Sequence, residues 1–153
     1  MAGVTNRGKF TIANYYFRRT GTLPANFYVA LVTDAIAPGP DTNVLGDLTE
    51  IPAGNGYVTG GYQLTPNVTD FDTLNEDDGN DRAAMQIKNV SWTPSGGPIP
   101  PSGNGARYAV LTDANATVAS RIVFCYWSLG SNRIAQVGIP LTLIDLELRL
   151  VEG

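Results

Sequence analysis

Ala83-Ala-Met-Gln-Ile-Lys-Asn-Val-Ser-Trp92, Thr93-Pro-Ser-Gly-Gly-Pro-Ile-Pro-Pro-Ser-Gly-Asn-Gly105 and Ala106-Arg-Tyr-Ala-Val-Leu111 form the stretch whose reading decides the fold. The outer runs are rich in apolar, β-branched and aromatic residues, which suits strands. The middle run is too dense in Pro and Gly for regular structure, so it predicts a rigid loop between two strands. After a turn at Asp113-Ala-Asn115 the chain re-enters as Ile122-Val-Phe-Cys-Tyr-Trp127, a third strand.

Working outward, Leu141-Thr-Leu-Ile-Asp-Leu-Glu-Leu-Arg-Leu150 alternates. It predicts one strand with Ile144, Leu146, Leu148 and Leu150 on one face and Asp145, Glu147 and Arg149 on the other. Upstream, Phe27-Tyr-Val-Ala-Leu-Val-Thr33 is apolar at both parities, as in a strand covered on both faces. Tyr57 to Leu64 reads as a strand interrupted at Gly60-Gly61, where the backbone must bulge or approach a neighbour closely. Asp34 to Asn55 and Asn67 to Asp81 read as long acidic loops. Phe10 to Arg19 has helical spacing and stops at Gly21, while residues 1–9 are small and polar and read as a flexible arm. The expectation is one mainly β domain over 10–153, an antiparallel sandwich or barrel of jelly-roll type with about seven or eight strands.

Composition narrows the chemistry. The 153 residues contain no histidine, which removes the commonest general base, the commonest metal ligand and every histidine-activated nucleophile. No phosphate-binding glycine loop, Cys-x-x-Cys or His-Glu-x-x-His occurs. The expectation is therefore a protein that is not an enzyme, with no catalytic residues, no metal and no cofactor. The single cysteine, Cys125, lies in an apolar run and reads as a small core residue. The acidic run Asn75 to Asp81 lacks the spacing of a calcium loop, since Leu74 stands where the first ligand belongs, and it reads as solvated. The aromatics Tyr57, Tyr62, Trp92, Tyr108, Tyr126 and Trp127 fall inside strand patterns, so core packing is favoured over a sugar-binding platform.

Charge is segregated. Residues 1–19 carry +4 from Arg7, Lys9, Arg18 and Arg19; residues 20–81 carry −10; residues 82–153 carry +2, for a net charge of −4. A basic end beside an acidic body suits docking on a partner or on another copy, and argues against nucleic acid as the partner. The sequence has no apolar run of membrane-spanning length and no apolar stretch of signal-peptide type at its start, so a cytoplasmic origin without membrane contact is expected.

Phe27 to Thr33, Ile51-Pro-Ala-Gly-Asn-Gly-Tyr57, Val90-Ser-Trp92, Ala109 to Asp113, Ile122 to Phe124 and Val137-Gly-Ile-Pro-Leu141 follow one another in an order that resembles a family of small tailed-phage structural proteins. The likeness runs over about residues 10–150 and rests on strand-and-turn patterns. It implies a head decoration protein on the virion, assembled in the host cytoplasm. Such a protein would bind the outer surface of the major capsid protein lattice as a homotrimer and cement it. Related tail or neck proteins and a carbohydrate-binding module are the alternatives. On this reading Arg7, Lys9, Arg18 and Arg19 face the capsid or a neighbouring trimer, and Trp92, Pro94, Pro98, Ile99, Pro100 and Pro101 form the trimer contact. The longer acidic loop (Asp70 to Asp81) and the Pro/Gly loop depart from the family pattern.

Overall fold

The computed structural model of the chain describes residues 2–151. In chain order these form β1 (Ala2–Val4), α1 (Asn6–Tyr16), β2 (Phe27–Val32), β3 (Tyr62–Leu64), β4 (Thr73–Asp77), β5 (Arg82–Ile87), β6 (Val90–Trp92), β7 (Ala106–Thr112), β8 (Val123–Arg133), β9 (Leu141–Leu143) and β10 (Leu146–Val151), with three short 3₁₀ turns. The fold is mainly β with one short helix, and all strand pairings are antiparallel. A five-stranded sheet has the order β1-β8-β7-β2-β3, a three-stranded sheet β10-β5-β4, and β6 pairs with β9. The sheets end in free edges, so of the sandwich or barrel expected from the sequence, a closed barrel is not formed.

The centre of the large sheet is buried on both faces, as the two-sided apolar run at Phe27 to Thr33 requires. Val29 and Leu31 enter one apolar cluster together with Ala109, Leu111, Cys125 and Trp127. Ala30 and Val32 enter the other with Val110, Val123 and Tyr126. The larger cluster is closed by β5, β6, β9 and β10 through Ile87, Val90, Trp92, Leu143, Leu146 and Leu148. The smaller is closed by the 3₁₀ turns, through Leu45, Leu48 and Val118. Each such side chain contributes about 1.5–3 kcal/mol relative to exposure.

Several elements differ from the sequence expectation. The run Ala83 to Trp92 divides into β5 and β6, which belong to different sheets. The alternating C-terminal run also divides, because Asp145 turns the chain at φ 55° between β9 and β10. Leu146 and Leu148 are buried as expected, whereas Ile144 and Leu150 are exposed. The acidic stretch read as a loop contains β4, hydrogen-bonded to β5 with Leu74 opposite Met85. The apolar run Ile122 to Trp127 continues past its expected end, and β8 extends to Arg133. Of the expected strand Tyr57 to Leu64 only β3 is paired with β2. Gly60 and Gly61 both have positive φ, and a side chain at Gly61 would strike the Val29 backbone, the close approach that the paired glycines predict.

Residues 2–9 are not the expected flexible arm; Met1 lies outside the described residues. β1 pairs with β8 from Trp127 to Cys125, and Thr5 is fully buried. Its hydroxyl accepts from the Gly8 N–H at 2.8 Å, capping α1, and donates to the Val123 carbonyl. Gly8 lets the helix lie directly on β8, since a Cβ there would stand 2.5 Å from the Phe124 carbonyl oxygen. The helix therefore begins at Asn6, ahead of the Phe10 that periodicity alone picks out.

The Thr5→Val variant loses the cap and leaves the Gly8 N–H without its partner. It is expected to be less stable by about 1–3 kcal/mol while still folding, as read by urea denaturation. An unchanged midpoint would show that the N-terminal segment is not integral to the fold.

Candidate interaction surfaces

The trimer contact expected from the sequence does not sit on the surface. Trp92 is 4% exposed and Ile99 is fully buried, both in the main cluster. Pro94 and Pro100 are buried, Pro98 is half-buried, and of the six residues only Pro101 is exposed. The loop is held from within by the Gly54-Asn55-Gly56-Tyr57 turn. Asn55, at φ 55°, accepts through its carbonyl from the Ser95 N–H at 2.9 Å, and its side-chain amide donates to the Pro98 carbonyl at 2.8 Å. Ile99 exchanges two backbone hydrogen bonds with Ala135, at 2.9 and 2.8 Å. Segment 93–105 is thus a lid over Trp92, whose ring packs against Tyr57 and Tyr62. Tyr57, Trp92, Tyr126 and Trp127 are all buried and Tyr62 and Tyr108 half-buried, in agreement with the core reading of these aromatics.

The same turn organises a buried polar network. The Tyr57 hydroxyl accepts from the Leu31 N–H at 3.0 Å and donates to the Glu50 carboxylate at 2.7 Å. Glu50 also accepts from the Gly60 N–H at 2.6 Å. Arg121, itself buried, donates to the Gly60 carbonyl at 3.1 Å and lies 3.8 Å over the Tyr28 ring. Burial raises the Glu50 carboxyl above its ordinary range despite these partners. Burial likewise pushes up the Tyr57 hydroxyl and the Cys125 thiol, so neither is poised as a nucleophile. Every member of the network fastens backbone, and its place in the chain ties β2, β3 and the entrance to β8 together.

The basic residues singled out from the sequence are all exposed. Arg7 and Lys9 lie on α1, and Arg18 and Arg19 just beyond its end. Arg7 stacks 5.5 Å from the centre of the Phe10 ring and Arg19 5.6 Å from that of Tyr16. Among the described residues the ion pairs are Arg82–Asp77, Lys88–Asp70 and Arg149–Glu147, so these four cations have no carboxylate partner. Described residues hold no group of three or more acidic or cysteine side chains placed to bind a metal ion. No described helix is long and apolar enough to cross a membrane.

Sequence reading missed an extended apolar groove. Between α1, segment 66–71 and the three-stranded sheet runs an open apolar groove of about 610 Å³, lined among others by Tyr15, Leu23, Phe27, Phe71, Leu74 and Met85. Phe27 forms its floor, edge-on to Phe71 and Phe124 at 5.5 and 5.6 Å. The groove exists because β4 and β5 project past the core, so the sheet face that buries Leu146 and Ile87 leaves Leu74 77% exposed. The available signal was Leu74 alone, the one apolar residue of Thr73-Leu-Asn-Glu-Asp77, hidden by the acidity around it.

No family model matches the chain, and neither does any curated protein or solved structure.

Two carboxylates give opposite pH signatures. The Glu50 carboxyl is raised by burial, so the unfolded chain releases this proton first and stability falls as pH rises through the upper carboxylate range. Glu50→Gln keeps acceptors for Tyr57 and Gly60 and should remove that slope. Asp70 is lowered by the Lys88 ammonium at 2.7 Å and by the Thr65 N–H. Its contribution is present above the ordinary carboxylate range and lost as pH falls through the folded value. Denaturation of wild type, Glu50→Gln and Asp70→Asn from pH 3 to 7 measures the two slopes; equal slopes in wild type and Glu50→Gln would refute the first assignment.

Proposed function

We propose that the chain is a structural subunit of a virion, a head decoration protein that binds the outer face of the major capsid protein lattice of a tailed phage and stabilises it. The observation that carries this reading is a cationic helix on an acidic molecule: Arg7, Lys9, Arg18 and Arg19 are exposed without carboxylate partners among the described residues, while residues 20–81 carry −10. Such a surface recognises an acidic protein face and speeds docking on it. The resemblance of the strand-and-turn motifs supplies the kind of assembly. A sandwich of jelly-roll type and trimers at local threefold positions belong to this proposal.

The helix suits docking because it is already ordered. Its N-terminus is capped by Thr5 and its backbone lies on β8 at Gly8, so little entropy is lost when Arg7 and Lys9 meet a partner. The lack of histidine argues against an enzyme, and the burial of Tyr57, Trp92, Tyr126 and Trp127 argues against a sugar-binding platform.

Quantitative mass spectrometry of purified virions tests the role. On the order of hundreds of copies per particle is expected for a protein repeated across a symmetric shell. A few dozen would assign it to the tail or neck, and absence from the particle would overturn the reading. The double variant Arg7→Glu with Lys9→Glu should cosediment with expanded capsids at least about tenfold more weakly. Undiminished binding by this variant would sink the helix as the docking face.

A further inference from the structure

The groove beside α1 has the chemistry of a self-association site. Leu74 lines both this groove and an adjoining depression formed with Glu76, Asp78 and Asp81. None of these three acids is in an ion pair among the described residues. A ligand for the combined surface needs a large apolar group followed directly by positive charge. The chain carries such a segment on its own surface. Phe17 is 79% exposed, does not line the groove of its own molecule, and is followed by Arg18 and by Arg19, whose side chain borders that groove.

We propose that the groove between α1 and β4 receives the Phe17–Arg19 segment of a second copy of this chain. The Phe17 ring enters between Leu23, Phe71 and Leu74, and Arg18 and Arg19 meet the carboxylates of the β4–β5 hairpin. The charge map argues for a copy over a different partner. Phe17, at 79%, is the most exposed aromatic residue of the described surface and is followed by two cations with no carboxylate partner among the described residues, whereas Phe10 and Ile134, at 54% and 47%, each adjoin one. The β4–β5 hairpin sets Glu76, Asp78 and Asp81, outside any ion pair among the described residues, beside an apolar trough. One surface thus carries both halves of the contact, as association between identical subunits requires. The apolar ring supplies attraction by excluding water, and the charges set register and exclude wrong alignments. This contact replaces the one expected at Trp92 and the 93–105 loop, and it stands whatever larger assembly the protein serves.

Sedimentation velocity of the full chain over a range of concentrations, at low and high salt, tests the proposal. Wild type is expected to associate at micromolar concentration, less tightly as salt rises. Leu74→Glu and Phe17→Asp should each raise the dissociation constant at least about tenfold. Both positions are exposed, so circular dichroism should show unchanged folding. Reversing the helix end (Arg18→Glu, Arg19→Glu) should dissociate the assembly, as should reversing the hairpin (Glu76→Lys, Asp78→Lys). A mixture of the two reversed chains should associate again. A wild type that stays monomeric at 100 µM, roughly the upper end of weak specific association, would overturn the proposal. So would an oligomer indifferent to Leu74→Glu, or reversed chains that fail to associate when mixed.

Discussion

Two-sided burial of β2, β7 and β8 is the constraint on which the molecule depends. A sheet whose centre is apolar on both faces cannot leave either face to water, so everything else in the chain must supply cover. On one side the cover is β5, β6, β9 and β10 with the 93–105 lid; on the other it is the loops around Leu45, Leu48 and Val118. Consecutive Phe124 and Cys125 both join the larger cluster, which the register shift between Leu111 and Thr112 permits. The long segments between strands thus have a packing role before they have any other.

That requirement changes the meaning of the Pro/Gly loop. A rigid loop between core strands looks like an interface device when seen as a string of prolines. In three dimensions its rigidity serves the inside: Asn55 grips the Ser95 N–H and the Pro98 carbonyl, and Ile99 fills the core. The Gly-Asn-Gly-Tyr turn is the other half of the same device. Its Tyr57 hydroxyl, wedged between the Leu31 N–H and Glu50, links the turn to the central sheet. Such a network raises cooperativity, because loosening the turn would strand a half-buried carboxylate and a buried hydroxyl together.

Surface function is then left to what the core does not consume. The N-terminal helix and the β4–β5 hairpin stand on the outside of the sheets and carry opposite charge. The groove between them is an extended apolar surface that the fold leaves open, and Leu74 on its wall and Phe17 beside it are both exposed. A protein built for assembly has reason to keep such residues; a lone monomer would gain solubility by losing them.

Local pattern was enough for the β class, for β2, β7 and the start of β8, for the core role of Cys125 and the aromatics, and for the close approach at Gly61. In each case the signal is a side-chain period or a steric need that acts within a few residues. The division of Ala83 to Trp92 between two sheets was not legible, because both halves keep strand character and only their partners differ. Nor was the pairing of Ala2–Val4 with β8, which satisfies the backbone of a segment with no hydrophobic period of its own. The site suffered most. Exposure depends on what lies opposite a residue, and Leu74 is exposed because the hairpin outruns the core, while Trp92 is hidden because Tyr57 and Tyr62, far back in the chain, pack against its ring and the loop that follows it folds over it. Sequence alone thus determined which residues seek burial, and tertiary packing decided which of them find it.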